Sequence, residues 1–537
     1  MKFFITYYLS PTSFNAMLAT IQSAALNGLN AFPVTIEVNS HEASEGGARF
    51  TIVGLPDSAV KESSERVQAA IRENGFQYQM RSTVVNLSPA DMRKEGSGFD
   101  LPIAIAFLLS LGHVHADQID LQRYMFVGEL GLGGQVLPVR GALPIAIKAR
   151  ELKYEALIVP EENAREAAVV NNLKVYGVKH LQDVIGLLQG SSALLPTVVN
   201  TREEFYAAQQ DFPYDFSEVK GQENVKRAFE VAAAGGHNII LIGSPGCGKS
   251  MMAKRLPSIL PPLSLQESLE TTQIHSIAGQ LNRDSTLISQ RPFRTPHHTV
   301  SDVGLAGGTR QARPGEVSLA HNGVLFLDEL TEFNRAALEI LRQPLEDRKI
   351  TITRAQYSVE YPCSFMLVAS MNPCPCGYYG DPLHKCVCTP GQISRYLSKI
   401  SGPLLDRIDI HIEMQAVPFS ELSQMQPGEP SSAIRERVVA ARKIQEERFK
   451  PFKGIHCNAQ MSERMIHQYA ELDSSSMDML RMAMERLSLS ARAYSRILKV
   501  ARTIADLEHS ENVQSSHIAE AIGYRNLDRG DWAERGI

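Results

Sequence analysis

The sequence predicts an α/β chain of more than one domain, and three observations carry that prediction. A phosphate-loop pattern, GSPGCGKS at residues 243–250, follows an apolar strand and opens a helix. Short apolar strands (NIILIG, GVLFLDE, FMLVAS) alternate with helices over residues 216–415, the pattern of a parallel sheet. Ahead of these, residues 17–190 alternate strand-like and helix-like stretches of their own. At 537 residues the chain is too long for a single core.

The first domain is predicted over residues 17–190 from FPVTIEVN, RFTIVGL, STVVNLSP, an apolar helix LPIAIAFLLSLG at 101–112, and YMFVGELGLGGQVLPVRG. Residues 191–215 lack a period and contain polar and Pro breaks, so they read as a linker. The α/β core is placed at 216–420, and residues 425–537 read as helical, with SSAIRERVVAARKIQEERF and ARAYSRILKVARTIADLEH the clearest stretches. The start, MKFFITYYLSPTSF, has the single Lys and short apolar stretch of a signal peptide, but residues 1–16 read as a tail or a mis-assigned start before Met17.

Apolar content of 44% and charged content of 21% are ordinary for a globular protein. A net charge of −5 gives no global basic field. A nucleic-acid partner would therefore be held by local basic loops or by a ring of repeated subunits. No apolar run approaches the roughly 20 residues of a membrane span. A cytoplasmic location without a membrane partner is expected.

The phosphate loop comprises Gly243, Ser244, Pro245, Gly246, Cys247, Gly248, Lys249 and Ser250. Its glycines let backbone N–H groups wrap phosphates at the positive end of a helix. Lys249 is expected on the β- and γ-phosphates of ATP, and the Ser250 hydroxyl on Mg²⁺. GVLFLDEL then supplies a buried strand with two carboxylates at its C-terminal end, where doubly wound sheets bind ligands. Asp328 is assigned to the Mg²⁺ shell and Glu329 to polarising the attacking water. A third strand, FMLVASMN, ends in Asn372, a polar group able to orient that water.

Between these strands KITITRAQYSVEY (349–361) reads as a β-hairpin with Arg354-Ala355-Gln356 at its tip. A guanidinium there can grip a nucleic-acid backbone without reading sequence, so Arg354 and Gln356 are the candidate DNA contacts. A solvated turn is the alternative. Arg294 and Arg310 are further basic candidates, and the His297-His298 pair, with no carboxylate close in sequence, reads as a loop contact.

Seven cysteines occur, and Cys374, Cys376, Cys386 and Cys388 form C-x-C-x₉-C-x-C. Two close pairs joined by a short loop suit a four-thiolate structural Zn²⁺ site, with His384 able to replace one ligand. The single-residue spacing within each pair is narrower than the common one, and unliganded thiols or redox disulfides are the other readings.

Together these residues resemble the AAA+ ATPases, in the branch with an insert in the second helix that includes the magnesium-chelatase ATPase subunit and the minichromosome-maintenance helicases. Residues 265–320, with RPFRTPHHTVS and GGTRQARPGEVSLAHNG, lie where that insert would be. LLDRIDI (404–410) matches the arginine-finger segment, implying that Arg407 acts on a neighbour's ATP in a ring, expected to be a homo-hexamer. SARAYSRIL matches the sensor-two helix and implies that Arg492 lies near the γ-phosphate, which would make the 425–537 region a helical lid. Ordinary ion pairing is the alternative for both arginines. A metal knot at 374–388, lying between Asn372 and Arg407, would stiffen the path from one to the other.

FTIVGLPDSAVKES, RPFRTPHHT, LAHNGVLFLDELTEF, MNPCPCGYYGD and ISGPLLDRIDI resemble the YifB/ComM family over nearly the whole chain. That family includes a DNA branch-migration helicase of natural transformation, and its N-terminal domain is similar to the Lon protease (ribosomal S5-like) α+β fold. RKEGSGFDLPIAIA and GELGLGGQVLPVRGALPIAIKAR match the Lon segments, but Gly98 and Leu143 stand where the Ser–Lys dyad would be. Ser97 and Lys148 are out of register, so a docking platform is expected there rather than a protease. The resemblance implies a hexameric DNA motor working on recombination intermediates beside recombination proteins. A chelatase-like motor remodelling a partner protein and a protein-remodelling chaperone are the alternatives. In the helicases of this branch the hairpin points into a central channel, which is the role implied for Arg354.

Overall fold

The computed structural model describes residues 18–43, 48–77, 81–116, 119–281, 286–308, 312–354, 357–416, 427–487 and 489–525. The chain divides into two compact units, Met1–Glu204 with His275–Leu287, and Phe205–Ile274 with Ile288–Ile537. The tail assigned to residues 1–16 lies outside the described residues.

In the first unit the strands are β1 (Ala19–Asn27), β2 (Asn30–Glu42), β3 (Phe50–Val53), β4 (Arg81–Ser88), β5 (Tyr124–Phe126), a short pair β6 (Glu129–Leu130) and β7 (Val136–Leu137), β8 (Ala156–Pro160) and β9 (Lys174–Val178). Seven of them form a mixed sheet in the order β3-β4-β2-β1-β5-β8-β9. The β2 strand alternates, with Val34, Ile36 and Val38 buried on one face, as a half-covered sheet requires. The apolar run ahead of β5 forms the helix Asp100–Ser110, buried on nearly every side. A helix apolar all round must be enclosed. Its first residue, Asp100, is a buried carboxylate that accepts from Ser63 Oγ at 2.5 Å, Arg66 Nε at 2.6 Å and the Leu130 N–H at 3.2 Å. Ser97 donates to Glu129, and Lys148 bonds Glu151 at 3.0 Å, so these two side chains serve separate partners.

The second unit holds β10 (Ile239–Gly243), β11 (Phe293–Arg294), β12 (Val324–Leu327), the hairpin strands β13 (Lys349–Arg354) and β14 (Tyr357–Pro362), β15 (Met366–Met371) and β16 (Ile410–Met414). Five of these make an all-parallel sheet in the order β11-β12-β15-β10-β16, with the hairpin a separate antiparallel pair. Every residue of β10, β12 and β15 is buried. Strands that read as unbroken apolar runs need cover on both faces, and helices supply it.

Three sequence boundaries differ in the structure. Residues 191–215 are not all linker: Thr201–Ala207 is helical, the units divide after Glu204, and Phe205 and Phe216 are buried anchors of the second unit. The segment 265–320 is not all insert, because β11 within it forms the sheet edge beside β12, and His275–Leu287 groups with the first unit. The C-terminal helices pack onto the α/β core. Ile434 and Val438 of Ser431–Phe449 and Ile497 and Ala501 of Ala491–Leu507 share one hydrophobic cluster with Val225, Phe229, Ile239 and Leu241. Apolar periodicity shows that a helix has a face to bury, but not which element buries it.

A buried polar group lies within that cluster. The His237 ring places Nδ1 3.3 Å from Asp409 Oδ2 and Nε2 2.8 Å from Thr503 Oγ1. Asp409 also takes Arg496 Nη1 at 2.7 Å and the Asn238 N–H at 3.1 Å. Burial holds the His237 pKa below its ordinary value. For Asp409 burial acts upward, but the Arg496 and His237 partners outweigh it and hold the carboxyl below the usual range. Both folded pKa values are depressed, so below each ordinary value the unfolded chain binds protons that the folded chain does not. The His237 contribution is therefore complete above about pH 6.5 and is lost as the pH falls below it. Urea denaturation is expected to show a lower midpoint at pH 5 than at pH 7, with a smaller drop in His237→Gln.

Candidate active site

The phosphate loop joins β10 to the helix Lys249–Ile259. Gly248 at the helix start has φ of 96°, a left-handed conformation that a side chain disfavours, and it turns the chain from loop to helix. Lys249 Nζ is drawn back over the loop, 2.6 Å from Gly243 O, 3.0 Å from Ser244 O and 3.2 Å from Asn372 Oδ1. Ser250 Oγ donates to Asp328 Oδ2 at 2.7 Å. A hydroxyl and a carboxylate oxygen meeting at the loop are hard oxygen donors of the kind Mg²⁺ takes, so these residues fit the ion. Ser370 on β15 donates to the other Asp328 oxygen, and the Glu329 N–H lies 3.3 Å from Ser370 Oγ. Thus Lys249, Ser250, Asp328 and Asn372 are brought together, with Glu329 beside them at the end of β12.

Glu329 has φ of 55° and an exposed carboxylate. His298 Nδ1 lies 3.8 Å from Glu329 Oε2, and its ring stacks on His297 with centroids 4.1 Å apart. The residues immediately flanking this histidine pair carry no carboxylate. The fold supplies one from a distant strand, a pairing that sequence separation conceals.

The candidate arginines are placed differently. Arg407 bonds Pro403 O at 2.7 Å and pairs with Glu346, and the exposed Arg492 pairs with Asp406 at 3.0 Å. Neither shares a described hydrogen bond with the phosphate loop. Arg294 is held by Glu316 through two bonds of 2.7 Å, so this candidate for a nucleic-acid contact is an internal ion pair. Arg310 and Gln356 lie outside the described residues. Arg354 ends β13 opposite Tyr357 of β14.

The four clustered cysteines converge. Cys374, Cys376 and Cys386 place their sulfurs 3.3, 3.7 and 3.6 Å apart, and all four ligand atoms lie within 4.8 Å of one another. A tetrahedral zinc with Zn–S of roughly 2.3 Å has sulfur–sulfur edges of roughly 3.8 Å, so the set fits the ion. At Cys376 burial opposes charge on the sulfur, but hydrogen bonds from the Val387 and Tyr378 backbone outweigh it and lower the thiol to about 6. All described cysteines are free of disulfides. His384 faces Asp381 at 3.2 Å and the Tyr378 ring, so the four sulfurs make the set without it.

The loop carrying them rests on the phosphate loop. A Cβ added to Gly377 would lie 2.7 Å from Pro245 Cδ. The Asp381 carboxyl is lowered to about 2, with the Ser244 hydroxyl its leading partner. Sequence order suggested a brace between Asn372 and Arg407; the structure gives the loop the phosphate loop as its neighbour. Ser370, Asp381, the Glu329 partner of His298 and the His237–Asp409–Arg496 group have no sequence signal, because none lies in a recognisable spacing.

Three family profiles match the chain: magnesium chelatase, subunit ChlI, at residues 215–422; subunit ChlI of Mg-chelatase at 36–163; and magnesium chelatase, subunit ChlI C-terminal, at 428–525. Competence protein ComM of Haemophilus influenzae is 42% identical over 517 residues, covering 95% of this chain and 98% of that protein. The uncharacterized protein YifB of Escherichia coli is 42% identical over 515 residues, with coverage of 95% and 98%. Lon protease 2 of Bacillus subtilis is 29% identical over 162 residues, 28% of each chain. With a phosphate loop, a paired Asp-Glu strand end and near full-length identity in hand, the chain belongs to the YifB/ComM family of magnesium-chelatase-like AAA+ proteins.

Proposed function

We propose that this protein is an ATP-hydrolysing motor that moves DNA, working as a homo-hexameric ring on branched recombination intermediates. The observation that carries the reading is the β13–β14 hairpin. It leaves the sheet between the strand ending at Asp328 and Glu329 and the strand ending at Asn372, with Arg354 at its tip. The hairpin follows two short helices after Glu329 and runs into the start of β15, so it is joined in the chain to both strands that carry the candidate nucleotide contacts. Six such tips around a channel would form a basic ring on a chain whose net charge is −5. One relative at 42% identity is named a competence protein, and the DNA reading agrees with that name.

In this reading Lys249 binds the β- and γ-phosphates, Ser250 and Asp328 hold Mg²⁺, which would offset phosphate charge, Glu329 polarises the water and Asn372 orients it. Arg407 serves the neighbouring subunit's nucleotide and Arg492 its own, each leaving an ion-pair partner to do so. The second reading, a chelatase-type motor that remodels a partner protein, is favoured by the magnesium-chelatase profiles. The first unit is then a docking platform for either task.

Lys249→Ala is expected to abolish nucleotide binding. Glu329→Gln is expected to bind ATP normally while turnover falls by roughly 10²-fold or more. Equilibrium binding and phosphate release distinguish the two, and normal turnover in Glu329→Gln would remove the base assignment.

Elemental analysis of protein purified without chelator is expected to give about one Zn²⁺ per chain, held by Cys374, Cys376, Cys386 and Cys388. The Cys374→Ser, Cys388→Ser double variant should lose it. Metal-free wild type would refute a zinc site.

For DNA, Arg354→Ala is expected to weaken binding about equally across sequences and flatten its salt dependence. Basal ATP hydrolysis should persist, while stimulation by single-stranded or branched DNA is lost. Stimulation by a protein partner and none by DNA would favour the remodelling reading.

A further inference from the structure

We propose that Tyr396 is a positioning residue for ATP hydrolysis: its hydroxyl, bonded to Thr331, fixes the turn that aims the Glu329 carboxylate. The inference rests on the Glu329 assignment above and adds to it what holds that carboxylate in place.

Glu329 needs a brace because its own side chain finds little to hold it. The carboxylate is exposed, and among the described residues its ion-pair partner is His298 at 3.8 Å. With φ of 55° the residue also sits in a left-handed conformation that a side chain disfavours. Such a conformation persists where the surrounding structure holds the backbone on both sides. On one side the Glu329 N–H lies 3.3 Å from Ser370 Oγ and 3.1 Å from Asp328 Oδ1. On the other, the Glu332 N–H donates to Glu329 O at 2.8 Å and closes the turn Leu330–Glu332.

That turn is anchored by a buried polar contact. Thr331 Oγ1 donates to Tyr396 Oη at 2.6 Å, and both residues are buried. Tyr396 comes from the helix Pro390–Leu397, which starts just after Cys388 with Thr389 and Gln392 as a capping box. Ile393 and Tyr396, one turn apart, form the buried face of that helix. Burial raises the Tyr396 pKa, and the Glu332 and Glu329 charges add to the rise, so the phenol stays protonated.

The helix and the turn have a second tie, Lys399 with Glu332 at 3.6 Å, but both side chains are exposed and such a pair contributes little. The Thr331–Tyr396 bond is therefore the tie that matters. Removing one hydroxyl leaves the other buried without that partner, and the turn relaxes. A displaced base slows the chemical step while the phosphate contacts of Lys249 stay as they are.

The test uses the full chain, with turnover read by phosphate release and ATP affinity by calorimetry. Tyr396→Phe and Thr331→Val each remove one hydroxyl at nearly constant shape, and Thr331→Ser keeps it. In the first two, kcat is expected to fall about tenfold with KM and ATP affinity unchanged, while Thr331→Ser stays near wild type. The Tyr396→Phe, Thr331→Val double variant should be no slower than either single one, since both break the same bond. In a Glu329→Gln background Tyr396→Phe should slow turnover no further. Normal kcat in Tyr396→Phe overturns the positioning role. A loss of ATP affinity that matches the loss of kcat also overturns it, as does a further fall of the same size in the Glu329→Gln background, since the helix would then act elsewhere. Normal turnover in Glu329→Gln alone removes the base assignment and this inference with it, whereas the other failures leave that assignment standing.

Discussion

The Asp328 carboxylate is the point on which the second unit's chemistry depends. One oxygen accepts from Ser250 at the start of the phosphate-loop helix, and the other accepts from Ser370 on β15. Two strand ends and one helix start are thereby brought together around a single charged group. A carboxylate at the rim of a parallel sheet is affordable only when its oxygens are so bonded, and the same bonds aim it. Lys249, held to the loop carbonyls and to Asn372, supplies the opposite charge nearby. The site is thus assembled from residues far apart in sequence because the sheet order places β12, β15 and β10 side by side.

A second polar group ties the helical C-terminal part to that sheet. His237 precedes β10, Asp409 precedes β16, and Arg496 and Thr503 lie on the helix Ala491–Leu507. Removing one partner of such a buried set leaves a charge without compensation, which costs on the order of 3–5 kcal/mol. The neighbouring residues, Asp406 with Arg492 and Glu346 with Arg407, are more exposed pairs and correspondingly weaker. The helix is thus fixed where it is buried, and Arg492 at its edge is exposed.

The cysteine loop connects metal chemistry to the same site. Its geometry fits a tetrahedral metal, and its body lies against Pro245 and Ser244 of the phosphate loop. Such a small segment, rich in Gly and Pro, has little apolar surface with which to order itself. A metal held by the four sulfurs would cross-link its ends and supply the order that packing does not.

Much of the candidate site was legible in the sequence, because the chemistry proposed for it fixes residue types at fixed spacings. A phosphate loop must have glycines for close approach, a lysine and a hydroxyl in register, and a preceding strand. The Asp328–Glu329 pair and Asn372 were legible for a related reason: each ends an unbroken apolar strand. The four cysteines were legible as a set but not in their placement, since spacing specifies ligands and not what the loop rests on. His298 beside Glu329, the pairing of Arg294 with Glu316, and the His237–Asp409–Arg496 group came only from tertiary structure. The same is true of the helical segment merging with the core and of β11 joining the sheet. Each of these depends on which surfaces meet, and hydrophobic periodicity records that a surface must be buried without recording its partner.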